Sequence, residues 1–131
     1  MSTLNMLSAF VSLRPGLEFA NYGDITAYRA DSRKVAQQLR DARQLIQFCA
    51  LHDIDPSQCL RPSGRLSIEN GALTYTAGQD WSTEYRAAVC CVLAESIWHW
   101  LRDENDYKTG DDIRKAARKL LGKGIASRWF N

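Results

Sequence analysis

The sequence predicts a single compact α+β domain, 1–131, that is predominantly helical. Three observations lead to it. Asn70-Gly71 sits between two short runs of alternating polarity, which marks a β-hairpin over about 65–76. The stretch Ala87 to Leu101 is apolar around most of a helical circumference, which marks a buried central helix over about 83–103. Two further segments, Arg33 to His52 and the run closed by Gly122, carry one apolar stripe each and so form helices packed against the central one. A chain of 131 residues has the size of one domain, and such a domain buries about two thirds of its unfolded surface. With 45% hydrophobic and 24% charged residues, the composition excludes a disordered or low-complexity chain.

Taken in order, Ser2 to Leu13 suits a short helix capped by Ser2 or Thr3, while Val11 and the Ser/Leu alternation suit a strand equally well. Arg14-Pro15-Gly16 is a turn signal, and Leu17 to Ala30 reads as irregular chain anchored by Phe19, Tyr22 and Tyr28. Asp31-Ser32 offers side-chain oxygens to the unpaired N–H groups of the helix that follows. On that helix Val35, Leu39, Ala42, Ile46 and Cys49 form the inward stripe. Phe48 and Leu51 fall on nearly the opposite side, so its C-terminal end is expected to be covered by a second segment. Asp53-Ile54-Asp55-Pro56 stops it, because proline cannot continue the hydrogen-bond ladder.

In the hairpin, a type I′ turn at Asn70-Gly71 pairs Ile68 with Leu73 and Leu66 with Tyr75, all four on one face, with Ser67, Glu69, Ala72 and Thr74 on the other. A lone ribbon is marginal in water, so its apolar face must meet helices or a further strand. Ser82-Thr83-Glu84 caps the central helix, whose polar strip is Glu84, Glu95, His99 and Arg102. Thr109-Gly110-Asp111-Asp112 resembles a capping box, and Gly122 ends the helix it opens. Lys123-Gly124 then breaks the chain before a last turn whose aromatics dock back.

Charge is distributed unevenly. Leu66 to Tyr107 holds two Arg against seven carboxylates, and Lys108 to Asn131 holds seven Lys or Arg against two Asp, although the net charge is only +2. Arg114, Lys115, Arg118 and Lys119 gather within about 140° of helix circumference, opposite Ile113, Ala116, Ala117, Leu120 and Leu121. With Lys108, Lys123 and Arg128 they compose a rigid cationic face suited to a phosphate backbone, and Trp129, if it is exposed, is available to stack on a base. The same distribution also matches a helix dipole on a solvated face.

The remaining chemistry reads as structural. Cys49-x-x-His52, Cys59, His99 and the Cys90-Cys91 pair lack zinc-site spacing, so no metal is assigned. Glu95 and His99, four residues apart, read as a surface ion pair. The Gly110 and Gly122-Lys123-Gly124 contexts are not phosphate-binding loops. Trp81, Tyr85, Trp98, Trp100, Trp129 and Phe130 read as core, with any left uncovered available to a partner. No run approaches about eighteen apolar residues, and Met1 to Val11 lacks the features of a secretion signal, so a cytoplasmic protein without membrane contact is expected.

The expected function is that of a small non-catalytic regulatory or binding protein without cofactors, contacting DNA or RNA phosphates through Lys108, Arg114, Lys115, Arg118, Lys119, Lys123, Arg128 and Trp129. The alternative is a protein–protein inhibitor or adaptor, of the kind that mobile elements or phages use against host defence, acting by surface complementarity.

Overall fold

The computed structural model describes residues 2–12, 32–62, 64–76 and 85–131. The expected turn at Arg14-Pro15-Gly16, the irregular stretch to Ala30, Asp31 of the expected Asp31-Ser32 cap, Trp81 and the Ser82-Thr83-Glu84 cap lie outside the described residues. What is described is α+β and mostly helical, with five α-helices, a short 3₁₀ turn and one two-stranded antiparallel sheet. No helix among the described residues is long and apolar enough to cross a membrane.

Helix α1 (Thr3–Val11) resolves the ambiguity at the N-terminal segment. The Ser2 hydroxyl accepts from the Asn5 N–H at 3.2 Å, and Leu7 and Val11, four apart, are both buried. Helix α2 (Ser32–Leu51) forms as expected, but its buried stripe is rotated. Gln38, Asp41, Ala42, Leu45, Phe48 and Cys49 are buried, while Val35, Leu39 and Ile46 are only half-buried. Phe48 is covered edge-on by the Trp100 ring at 5.6 Å, whereas Leu51 stands 79% exposed, contrary to the expected cover over that end.

Proline is not what stops α2. Asp53 takes a left-handed conformation (φ 54°), the Ile54 N–H reaches back to the Cys49 carbonyl at 2.8 Å, and the Asp53 N–H points to that of Ala50. This closure satisfies the last carbonyls before Pro56 is reached. Pro56 instead opens the 3₁₀ turn (Pro56–Cys59), where the Asp55 carboxylate accepts from the Ser57 N–H at 3.0 Å and from its hydroxyl at 2.8 Å.

Strands β1 (Leu66–Glu69) and β2 (Ala72–Tyr75) pair in the expected register, Leu66 with Tyr75 and Ile68 with Leu73. Asn70 (φ 52°) and Gly71 (φ 76°) both adopt the positive angles of the expected turn. Burial, however, falls off towards the turn rather than dividing by face. Ile68 is 40% exposed, and Ser67 is buried with its hydroxyl 2.9 Å from that of Thr74. Among the described residues the ribbon packs against helices, not a third strand: β2 touches α1, and β1 touches helix α3 (Tyr85–Glu104).

Helix α3 contacts α1, α2, the 3₁₀ turn and β1, as well as α4 (Gly110–Leu121) and α5 (Lys123–Trp129). Val89, Cys90, Leu93, Ile97 and Leu101 are wholly enclosed, as a helix apolar on most sides must be. Tyr85 meets Phe10 of α1 edge-on at 5.0 Å, and the buried Arg86 guanidinium lies 4.6 Å from the Tyr85 ring centre. Thr109 caps α4 by accepting from the Asp112 N–H at 3.1 Å. Ile113, Ala116 and Ala117 face inward, while Leu120, expected among them, is exposed. The break falls at Gly122 (φ 95°, ψ 156°), not at Lys123-Gly124, and the residues after it form α5, with Phe130 buried behind it.

Candidate nucleic-acid interface

The α4 periodicity places Arg114, Lys115, Arg118 and Lys119 away from the buried stripe, and Gly122 turns α5 so that Lys123 joins them. Arg114 is the most constrained of the set. Its guanidinium donates to Asp111 at 3.3 Å and lies 5.5 Å from the Trp98 ring centre, held between a first-turn carboxylate and an aromatic face. Among the described residues no carboxylate lies within 4.0 Å of Lys115, Arg118, Lys119 or Lys123. Arg114, Arg118 and Lys123 converge on a groove of about 250 Å³ between α4 and α5, floored by Phe130 and edged by Ser127 and Asn131. Lys108 is exposed on the approach to α4, with the Asp106 carboxylate 4.0 Å away.

Arg128 and Trp129 are not part of this face. Both reach Asp41 of α2: the Arg128 Nε and Nη2 donate to its two oxygens at 2.6 and 2.9 Å, and the Trp129 indole N–H donates at 2.8 Å. Gln37 adds a bond at 2.9 Å, so a carboxylate only 2% exposed has four donors. Arg128, although exposed, is paired with a carboxylate of the same molecule, and the indole expected to stack on a base is half-buried and tied at its polar end. Burial by itself raises the Asp41 pKa. The hydrogen bonds from Arg128, Trp129 and Gln37 outweigh burial and hold it below its ordinary 3.8.

A second feature joins residues that look unrelated in sequence. The closure of α2 and the capped 3₁₀ turn set Cys59 against the polar strip of α3. There Cys59 Sγ, a Glu95 carboxylate oxygen and a His99 ring nitrogen all lie within 4.8 Å of one another. Glu95 Oε1 is 3.7 Å from His99 Nε2 and 3.5 Å from the exposed Arg61 guanidinium, so the two residues one turn apart do meet. These residues edge an open cleft of about 430 Å³, lined by five carboxylates against two guanidinium groups. Cys49 and His52, two further residues of the cysteine and histidine set, are elsewhere engaged: Cys49 is enclosed in the core, and the His52 ring lies tilted against those of Phe48 at 4.3 Å and Trp100 at 4.7 Å.

All four cysteines are free thiols. Burial pushes Cys49 up to about 12. Burial first, and then the Glu95 charge, also raise Cys59, with the Ser96 hydroxyl and Arg61 acting in the opposite sense. A cysteine poised for nucleophilic attack needs the reverse shift, so this arrangement does not supply a thiolate nucleophile. No protein-family model matches the chain, and neither the curated proteins nor the solved structures provide a match.

Proposed function

We propose that the protein is a small non-catalytic binding protein that contacts nucleic-acid phosphates through α4 and the start of α5. One observation carries this reading: Lys115, Arg118, Lys119 and Lys123 lack carboxylate partners among the described residues, and two arginines and a lysine converge on one groove. Cations held on a short, well-capped helix lose little freedom on binding, and a guanidinium fork presents paired donors to phosphate oxygens. The chemistry is electrostatic positioning. Backbone contacts of this kind fix orientation without reading base sequence.

The test is fluorescence anisotropy with mixed-sequence DNA and RNA at increasing salt. Binding is expected to weaken steeply with salt. Changing Arg114, Lys115, Arg118 and Lys119 together to Ala is expected to lower affinity at least tenfold and to flatten the log–log salt slope on duplex DNA by about 3.6 units, since each duplex phosphate contact contributes about 0.9. An unchanged affinity in the quadruple variant would remove the reading. Arg128→Ala is a poor control, because it releases the buried Asp41.

The alternative, a protein–protein inhibitor or adaptor, rests on a different observation. Leu51 and Leu120 are both exposed beside Phe48 and Leu121, around a shallow recess between the ends of α2 and α4. Retention of a protein partner after nuclease treatment, lost on changing these leucines to Glu, supports that reading over the first.

A further inference from the structure

We propose that Cys59, Glu95 and His99 form a binding site for one divalent cation of the zinc class, with a coordination position left open to the cleft. The site stands independently of the phosphate-binding reading, because it uses none of the same residues.

The donor set argues for the metal. Calcium and magnesium take oxygen ligands, whereas a thiol sulfur, an imidazole nitrogen and a carboxylate oxygen together match the borderline preferences of zinc. The spacing argues for it as well. With zinc–sulfur and zinc–nitrogen bonds of about 2.3 and 2.0 Å, tetrahedral ligand atoms stand roughly 3.3 to 3.7 Å apart. Glu95 Oε1 and His99 Nε2 are already 3.7 Å apart, and all three ligand atoms lie within 4.8 Å of one another. Closing the set requires side-chain movements of roughly 1 Å, which half-exposed side chains make readily.

The backbone supplies the preorganisation. Glu95 and His99 lie one turn apart on α3, the most enclosed helix among the described residues, and Cys59 is presented by a turn whose start is held by the Asp55 cap. Two of the nearby carboxylates are otherwise engaged: Asp55 accepts two bonds from Ser57, and Asp103 is paired with Arg102 at 2.8 Å. They contribute negative potential rather than ligands. Arg61, whose guanidinium is 3.5 Å from Glu95, is 74% exposed and free to swing into solvent. On binding, the Cys59 S–H bond gives way to a sulfur–metal bond and its proton passes to the buffer, with no change of oxidation state.

The experiment is titration of chelator-stripped full-length protein with Co²⁺, then displacement by Zn²⁺. The expected result is one Co²⁺ per chain, a thiolate-to-cobalt charge-transfer band, intense visible absorption of a tetrahedral centre, and loss of both on adding Zn²⁺. Cys59→Ser is expected to abolish the charge-transfer band, and His99→Ala to weaken binding at least tenfold with unchanged circular dichroism. Cys91→Ser, which alters an exposed thiol on the same helix, is expected to leave the titration intact. Absence of the band in the native protein overturns the proposal, as does a band that survives Cys59→Ser. Should Cys59→Ser fail to fold, His99→Ala decides alone, because undiminished affinity there equally overturns it.

Discussion

Asp41→Ala is expected to lower the free energy of unfolding by about 3 kcal/mol, read as a shift of the urea midpoint at constant slope. The carboxylate is enclosed and accepts from the side chains of Arg128, Trp129 and Gln37, so its removal leaves the indole N–H without an acceptor and a guanidinium without its counter-charge. The Arg128 side chain is 38% exposed and recovers some hydration, which places the loss at the low end for a broken buried pair. Asp41→Asn keeps part of the hydrogen bonding and is expected to cost about half as much. The pH dependence is set by the direction of the Asp41 shift. A folded-state pKa held below 3.8 contributes stability that is complete above that value and is lost as pH falls below it, through the folded pKa. The gap between the native protein and Asp41→Asn is therefore expected to stay constant from neutral pH to about 4 and to close in more acid solution.

Gly122→Ala is expected to cost about 2 kcal/mol for a different reason. A Cβ added there meets nothing within 4 Å, so no clash is involved. The cost is the backbone itself, since φ 95° with ψ 156° is a combination that only glycine adopts readily. The hairpin provides the comparison: Gly71, at φ 76°, is in the left-handed region that asparagine tolerates, and Gly71→Asn is expected to cost well under half as much. Because Gly122 sets the angle between α4 and α5, its substitution also displaces Lys123 from the groove it shares with Arg114 and Arg118. Chemical denaturation measures the first effect. The salt slope of phosphate binding measures the second.

Local rules made much of the fold legible. The hairpin register follows from two residues with positive φ, the start of α4 from one threonine hydroxyl, and its end from one glycine. Each is a short-range constraint written in adjacent positions. The errors arise where a distant partner overrides the periodicity. Of the expected α2 stripe of Val35, Leu39, Ala42, Ile46 and Cys49, only Ala42 and Cys49 are buried, because the helix turns to enclose Asp41, whose partners Arg128 and Trp129 lie 87 and 88 positions further along. The signal for that was an isolated acid beside Ala42 and one turn before Leu45, which has no meaning until α5 is in place. For the same reason the cationic face was legible except for Arg128 and Trp129: their types suited a phosphate surface, and only tertiary structure shows them committed elsewhere. Cys59, Glu95 and His99 could not be grouped from spacing at all, since 36 positions separate Cys59 from Glu95 and only the folded chain brings them together.

The distance along the chain between Asp41 and Arg128 also has a bearing on time. Bringing together two points 87 residues apart costs loop-closure entropy that helix pairing between nearer segments has to offset first. The clasp is therefore expected to form late, after the rate-limiting barrier, and to act as a latch on the finished molecule. Asp41→Asn is accordingly expected to accelerate opening in stopped-flow measurements while leaving the refolding limb almost unmoved, so that the acid governs the lifetime of the native state rather than the speed of reaching it.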